Sequence, residues 1–418
     1  MATRPAPSRP QRSPTDWGSA AMGARVAVRY RRERLFKYAG LAALSLAGLF
    51  LAFLLFTIVR DGASGFRNSE VRVEVMFDPA VVAAGDFTAL MQRSSAALGT
   101  RGDVVSEGAW TGLRTLAKKQ PAVIGTTRPV WVPVKSSIDL LAKGKFDLAA
   151  PAISRGVSDA DIADYRQLKS QGRLRTGFNL PFMTGADSTN PELAGIWGAA
   201  LGSLLTLFVT IAIAFPIGVC AAIWLEEFAG RSRWTDLIEV SINNLAAVPS
   251  IIFGLLGLAV FLNFFNMPRS APLVGGLTLA LMTLPVIVIS ARVAIQAVPP
   301  SIRDAALGVG ASPIQVVFQH VLPLALPGIM TGTIIGISRA LGETAPLLLI
   351  GMRAFVTDTP HGLASPATVL PVQVFLWSDD VQRGFVEKTS AAIIVLLVVL
   401  LLMNGAAIWL RNKYERSQ

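Results

Sequence analysis

The sequence predicts an all-α polytopic membrane protein: six transmembrane helices, with an α+β extracytoplasmic domain inserted between the first and the second. Three observations carry that prediction. Of 418 residues, 52% are hydrophobic and only 16% are charged, whereas soluble chains carry about 25% charged residues. The deficit is local, confined to long charge-free runs of the length that a helix needs to cross a bilayer, about 20 residues. One long segment, 60–190, keeps charges of both signs and reads as a solvated domain of its own.

The first run, Ala39–Val59, has 21 residues without a charge. It follows a basic stretch, as a signal peptide would, but a signal peptide's apolar region is only about 7–15 residues long. The run is therefore read as a retained helix. The others are Leu193–Leu225, Val240–Met267, Ser270–Ala291, Leu324–Gly351 and Ala391–Leu410. Pro216, Pro285 and Pro346 fall inside runs, which membrane helices tolerate when neighbours satisfy the freed carbonyls. Residues 1–38 form a basic N-terminus, disordered over the Pro- and Arg-rich 1–20; 411–418 form the tail.

Lys and Arg in the short segments set the orientation. With the N-terminus in the cytoplasm, the inside segments carry 16 basic residues and the short outside loops carry four: Arg269, Arg353, Arg383 and Lys388. Both termini are thus expected inside, and 60–190 outside. In that segment Val71, Val73, Val75 and Phe77 alternate with Arg72, Glu74 and Met76, the pattern of a half-buried strand. Because the basic residues flank spans, the net charge of +11 reports topology and not nucleic-acid binding. The single cysteine, Cys220, excludes an intrachain disulfide and reads as packing. Two distant histidines, His320 and His361, make no metal site.

The loop 292–323 carries the densest signal. Pro299 and Pro300 interrupt the preceding helix. Ser301 caps a new one, with Asp304 three residues on, and Ile302, Ala305, Ala306 and Val309 share one face. Gly310 suits a left-handed helix end. Ser312 caps a second short helix with Pro313 at its first position, its apolar face made by Ile314, Val317, Phe318 and Val321. Leu322-Pro323 stops it. With few cations on their polar faces, these two amphipathic helices suit a protein groove better than a lipid surface.

Arg339 and Glu343 lie in the fifth run, where charges are costly and mark transport paths. Four residues apart on a helix, they can pair. The order Arg-before-Glu is the less favourable one along a helix, so helix stapling is a weak reason for it. The pair is either self-neutralising and structural or part of an anion path, in which Arg339 presents a planar fork of donors to phosphate oxygens, Glu343 orients it and Thr344 adjoins it. Smaller features have plain readings. Asn243 and Asn244 either line the path or, the plainer reading, hydrogen-bond between helices; Trp224, Trp377 and Trp409 anchor at the interface; Glu226 and Glu227 occupy a solvated loop.

The loop residues Asp304-Ala305-Ala306, Gly310 and Leu322-Pro323 resemble, in order and spacing, the cytoplasmic motif of permease subunits of ATP-driven importers. Asp304 stands for the motif's Glu and His320 for its Ile. The resemblance implies that Arg303, Asp304, Ala305, Ala306, Gly310, Leu322 and Pro323 couple the pore to an ATPase. Gly-Glu-Thr-Ala-Pro-Leu-Leu-Leu at 342–349, Pro249–Leu255 and Val374–Ser378 are similar to the A-type permease of the high-affinity phosphate importers, the PstA family, over about 190–418. The 191–410 core would then be half of a phosphate pathway in the bacterial inner membrane. Its partners would be a second permease subunit in a heterodimer, two ATPase subunits, an extracytoplasmic phosphate-binding protein and membrane lipid. No Gly-x-x-x-x-Gly-Lys-Ser/Thr loop occurs, so the chain is expected to be no enzyme and to hold no cofactor, ATP and Mg²⁺ residing on the partner. The other readings are a permease for a different oxyanion, a secondary transporter or channel, and a membrane-anchored sensor. Paired halves, common in secondary transporters, are not evident here, and a sensor needs no charged fifth span.

Overall fold

A computed structural model describes residues 18–148, 151, 155–230 and 232–415. The expected disorder of 1–20 falls on residues mostly outside that range. The chain divides into two units, one ending at Thr57 and the other running from Ile58 to Gln418.

Helix α1 (Ala20–Gly62) contains the first apolar run and extends back through the basic stretch. In the second unit, β1 (Arg67–Met76) is the central strand of a three-stranded antiparallel sheet. The helices α2 (Pro79–Ala84), α3 (Phe87–Ala96) and α4 (Trp110–Lys119) follow. Then come β2 (Thr127–Pro133), α5 (Ser136–Ala142), α6 (Asp159–Ser170), β3 (Leu174–Phe178) and α7 (Leu180–Thr184). Pairing sets Val73 opposite Val130 and Ser69 opposite Thr176. The alternation read from sequence holds: Val71, Val73, Val75 and Phe77 are fully buried, while Arg72, Glu74 and Met76 are exposed. The buried face meets Leu90, Leu113, Ile138 and Leu168 of the covering helices, and each such side chain contributes about 1.5–3 kcal/mol over its exposed state.

Among the described residues the regular elements of the remaining chain are helices: α8 (Trp197–Phe228), α9 (Arg233–Ala246), α10 (Ser250–Phe264), α11 (Pro272–Gln296), α12 (Pro300–Gly308), α13 (Pro313–Gly342), α14 (Ala345–Leu349), α15 (Leu370–Ser378) and α16 (Arg383–Glu415). Among the described residues five helices are long and apolar enough to cross a membrane: α1, α8, α11, α13 and α16. α8 crosses α11 so closely that a Cβ on Gly276 would meet Val209 at 2.4 Å.

Two apolar runs break where the sequence reading expects single spans. Val240–Met267 is divided between α9 and α10, which meet at 101°; Pro249, at φ −55° and ψ 137°, lacks a donor and disfavours a helical conformation in the residue before it. Leu324–Gly351 ends as a helix at Gly342, Glu343 is extended (φ −76°, ψ 121°), and a short helix restarts at Ala345. Pro346 therefore sits in the first turn of α14 instead of inside a span. Pro216 and Pro285 do lie inside α8 and α11.

Arg383 and Lys388, counted as loop residues, belong to α16, and Lys388 is only 1% exposed. Beside it a buried ionic cluster joins α16 to α5. Lys143 Nζ lies 2.6 Å from Asp139 Oδ2 and 2.5 Å from Glu387 Oε1, and Asp139 Oδ1 accepts the Ser69 N–H at 2.8 Å. Charges so buried cost several kcal/mol unless paired in this way. Trp377 is equally far from its expected place at an interface: it is 3% exposed and donates from Nε1 to Asp187 Oδ1 at 2.9 Å. Burial pushes the Asp187 carboxyl above its ordinary value, and the Trp377 hydrogen bond opposes that shift.

Candidate functional site

The loop between α11 and α13 is built as two short helical pieces around a left-handed turn. The capping residue of α12 is Pro299 (φ −56°, ψ 136°), and Ser301 makes no side-chain cap, contrary to the sequence reading. A proline pair fixes the helical start without one, because the N–H that Pro300 lacks would have no partner there anyway. Gly310 has φ +90°, a conformation that costs glycine little and side-chain-bearing residues much more. Its N–H donates to Leu307 O at 3.0 Å, and that of Ala311 to Ala306 O at 3.1 Å, closing the helix end. Ser312 then forms a full capping box: its Oγ accepts from Gln315 N at 3.4 Å, and Gln315 Oε1 accepts from Ser312 N at 2.8 Å.

The second piece does not stop at Leu322-Pro323. It continues into the long α13, with residues Val316–Val321 wound as a π-helix. Widening the turn ahead of a proline frees the carbonyls that its ring would strike. The wider winding also shifts the faces. Val316, Val317 and Val321 are buried, while Ile314 and Phe318, expected beside Val317, are 62% and 55% exposed. On α12, Ala306 is buried and Ala305 and Asp304 are exposed. Val309, expected on the Ala306 face, lies beyond the helix end and is 86% exposed. The inward set packs on Ala222, Ile223, Leu225, Ile295 and Val298 of α8 and the end of α11. Leu307, Val309, Ile314 and Phe318 remain as apolar side chains facing outward.

The sequence reading assigned Glu226 and Glu227 to solvent, and the structure corrects this. Glu227 receives Arg303 through Nε (3.1 Å) and Nη2 (2.7 Å). The same guanidinium donates to Val298 O at 2.7 Å and Ile295 O at 3.0 Å. Glu226 accepts from Arg292 Nε at 2.5 Å and Gln296 Nε2 at 2.9 Å, and Arg292 Nη2 also reaches Glu239 on α9 at 3.2 Å. One guanidinium thus fixes α12 to the end of α8 and the end of α11, and a second fixes α11 to α8 and α9. The available signal was an acid pair at the end of an apolar run, facing isolated arginines at the end of another.

The Arg339–Glu343 pair expected in the fifth run forms, with different geometry. Arg339 lies in the last turn of α13, and Glu343 lies in the break after it. Nε and Oε1 are 3.5 Å apart, with the side chains 51% and 20% exposed. That is a long contact, leaving most of the guanidinium fork open. Thr344 follows in the break, partly buried. The turn bearing Arg339 is anchored by Ser338, whose Oγ lies 2.5 Å from Asn404 Oδ1 on α16, a partner that sequence reasoning missed. On the other side of the break α14 packs tightly on α10; a Cβ on Gly254 would meet Pro346 Cα at 2.6 Å. Asn243, Asn244 and Cys220 are exposed, so none of them packs between helices of this chain. No group of three or more potential metal ligands occurs among the described residues.

Residues 194–416 match a family model described as the binding-protein-dependent transport system inner membrane component, and residues 23–152 match one described as a domain of unknown function, DUF3333. The chain is 30% identical over 256 residues to a probable ABC transporter permease protein, YqgI, of Bacillus subtilis, covering 58% of this chain and 84% of that protein. It is 31% identical over 203 residues to the phosphate transport system permease protein PstA 1 of Mycobacterium tuberculosis, covering 48% of this chain and 65% of that one. A solved structure of the MetNI methionine ABC transporter in an inward-facing conformation is 17% identical, with a TM-score of 0.41, and covers 53% of this chain and 94% of the other.

Proposed function

The chain belongs to the family of binding-protein-dependent transport system inner membrane components, and we propose that it is the A-type permease subunit of an ATP-driven phosphate importer. In this reading it lies in a bacterial inner membrane with both termini in the cytoplasm. It pairs with a second permease subunit, and two ATPase subunits dock on the loop 292–323. The α+β segment lies outside, on the side from which a phosphate-binding protein delivers its cargo. The phosphate transport permease among the relatives supports the substrate.

One observation carries the reading. The outward apolar residues Val309, Ile314 and Phe318 sit on a loop that Arg303 fixes to α8 and α11. Such a patch fits a groove on a protein partner. The clamp behind it transmits a push from that partner directly to membrane helices. Ala306 and Gly310 shape the loop, Asp304 and Ala305 lie on its surface, and Leu322-Pro323 carry the motion into α13. At the far end of α13, Arg339 offers its open guanidinium to the passing phosphate, with Glu343 and Thr344 beside it.

Gly310→Val tests the docking claim. A Cβ there meets nothing within 4 Å, so the substitution acts through backbone strain at φ +90°, about 1–3 kcal/mol. The expected result is loss of ATPase co-purification, or ATP hydrolysis without transport. Normal co-purification together with normal uptake would exclude the loop as the docking element.

A further inference from the structure

The two outer edges of the three-stranded sheet are not alike. On the β3 side, Arg72 N–H donates to Arg173 O at 2.9 Å and Asn179 N–H to Phe66 O at 2.8 Å. With the antiparallel register, these bonds make Arg173, Arg175, Gly177 and Asn179 the residues that face β1 with their backbone groups. The N–H and C=O of Leu174, Thr176 and Phe178 point the other way. No hydrogen bond from the described residues reaches them, and Arg175, Thr176, Gly177 and Phe178 are all exposed.

The β2 edge is closed. Phe77 N–H donates to Thr126 O and Val134 N–H to Ser69 O, so the residues of β2 that face away from β1 are Thr127, Pro129, Trp131 and Pro133. Two of the four have no N–H, and Pro133 O is already taken by Ser106 N–H at 3.0 Å. Proline on an edge keeps another strand from adding there. The β3 edge carries no such block. Its three donors and three acceptors, two residues apart, form a template for an added strand.

The side chains beside the open edge say what that strand carries. Arg72, Arg173, Arg175 and Glu70 share the sheet face opposite the buried valines. Arg175 is engaged: its Nε donates to Glu70 Oε2 at 2.8 Å, and its guanidinium lies 4.3 Å from the centre of the Trp131 ring. Arg72 and Arg173, side by side across the two strands, make no ion pair among the described residues. Like charges so placed repel, and a carboxylate beside them relieves the repulsion. On the other face Phe178 is 67% exposed. We propose that β3 takes up an extended acidic segment of a partner protein as a fourth, antiparallel strand, with carboxylates beside Arg173 and Arg175 and apolar side chains against Phe178. A second copy of β3, Leu-Arg-Thr-Gly-Phe, brings no carboxylate. The site is separate from the phosphate path and does not depend on it.

Fluorescence anisotropy of the full chain in detergent, with a labelled synthetic peptide alternating Glu and Val as the probe, tests this. The peptide should bind about tenfold more tightly than one alternating Lys and Val, the worth of one charge-assisted contact. N-methylation of its Val amides, which face the β3 edge in the antiparallel arrangement, should remove binding, whereas N-methylation of its Glu amides should cost less. Thr176→Pro deletes one edge donor without touching the bonds to β1 and should weaken binding about tenfold. Thr176→Val keeps that N–H, loses the same 3.0 Å contact with Ser69 Oγ, and should bind as the wild type does. Hydrogen exchange should slow at Leu174, Thr176 and Phe178 when the peptide is added. Equal binding of the Glu and Lys peptides, wild-type binding by Thr176→Pro, or no slowing at those three amides would overturn the proposal. So would failure of the Glu peptide to bind while the chain dimerises through an edge that Thr176→Pro disrupts, which would mark a contact between copies.

Discussion

Arg339→Ala is expected to abolish phosphate uptake while the chain still folds and assembles. Among the described residues its only charged contact is the 3.5 Å approach to Glu343, made by a side chain that is 51% exposed. An ion pair of that kind contributes about 0–1 kcal/mol to stability, so little of the fold rests on it. A phosphate taken up by the guanidinium fork gains charge-assisted hydrogen bonds worth about 1.5–3 kcal/mol each. Losing two of them slows passage by roughly a hundredfold or more. Arg339→Lys keeps the charge and loses the planar fork, and is expected to fall between wild type and alanine. Uptake by the alanine variant at the wild-type rate would show that the pair is structural only.

Glu227→Ala is expected to disconnect ATP hydrolysis from transport. It leaves Arg303 with two backbone carbonyls and no carboxylate, in a setting where the arginine side chain is 22% exposed and Glu227 only 11%. Breaking such a half-buried bidentate pair costs about 1–3 kcal/mol, less than the full penalty of a deeply buried one. The loop 292–323 stays attached through Arg303 to the end of α11 but loses its grip on α8. ATPase subunits should still bind and hydrolyse ATP, with uptake reduced severalfold. The double variant Glu227→Ala/Arg303→Ala should be no worse in uptake than Arg303→Ala alone, since residues that act through one contact are not additive. Additive losses would mean that the two act separately.

What the sequence made legible follows from what its patterns encode. Charge-free runs located α8, α11 and α16 because hydrocarbon burial tolerates no charge along a span, whatever the neighbours. Gly310 and Ser312 were legible because a positive φ and a helix cap are local demands met by particular residue types. The breaks at Pro249 and Gly342 were hidden, since hydropathy averages over a run and does not sense a bend within it. The face occupied by Ile314 and Phe318 was misassigned because a π-wound stretch departs from the 3.6-residue period. Glu226, Glu227, Lys388 and Trp377 were misread for a common reason. Their partners are distant in sequence, 66 residues from Glu226 to Arg292 and 190 from Asp187 to Trp377, and a polar residue beside a span looks solvated until its partner is known.

The most direct measurement is phosphate uptake into proteoliposomes that contain this chain with its second permease and ATPase subunits, with the binding protein supplied outside. Uptake is followed with ATP enclosed and with ATP omitted. Accumulation that requires both enclosed ATP and the ATPase subunits is the predicted result. Accumulation at the same rate with the ATPase subunits left out would contradict the account, because the clamped loop would then have nothing to transmit.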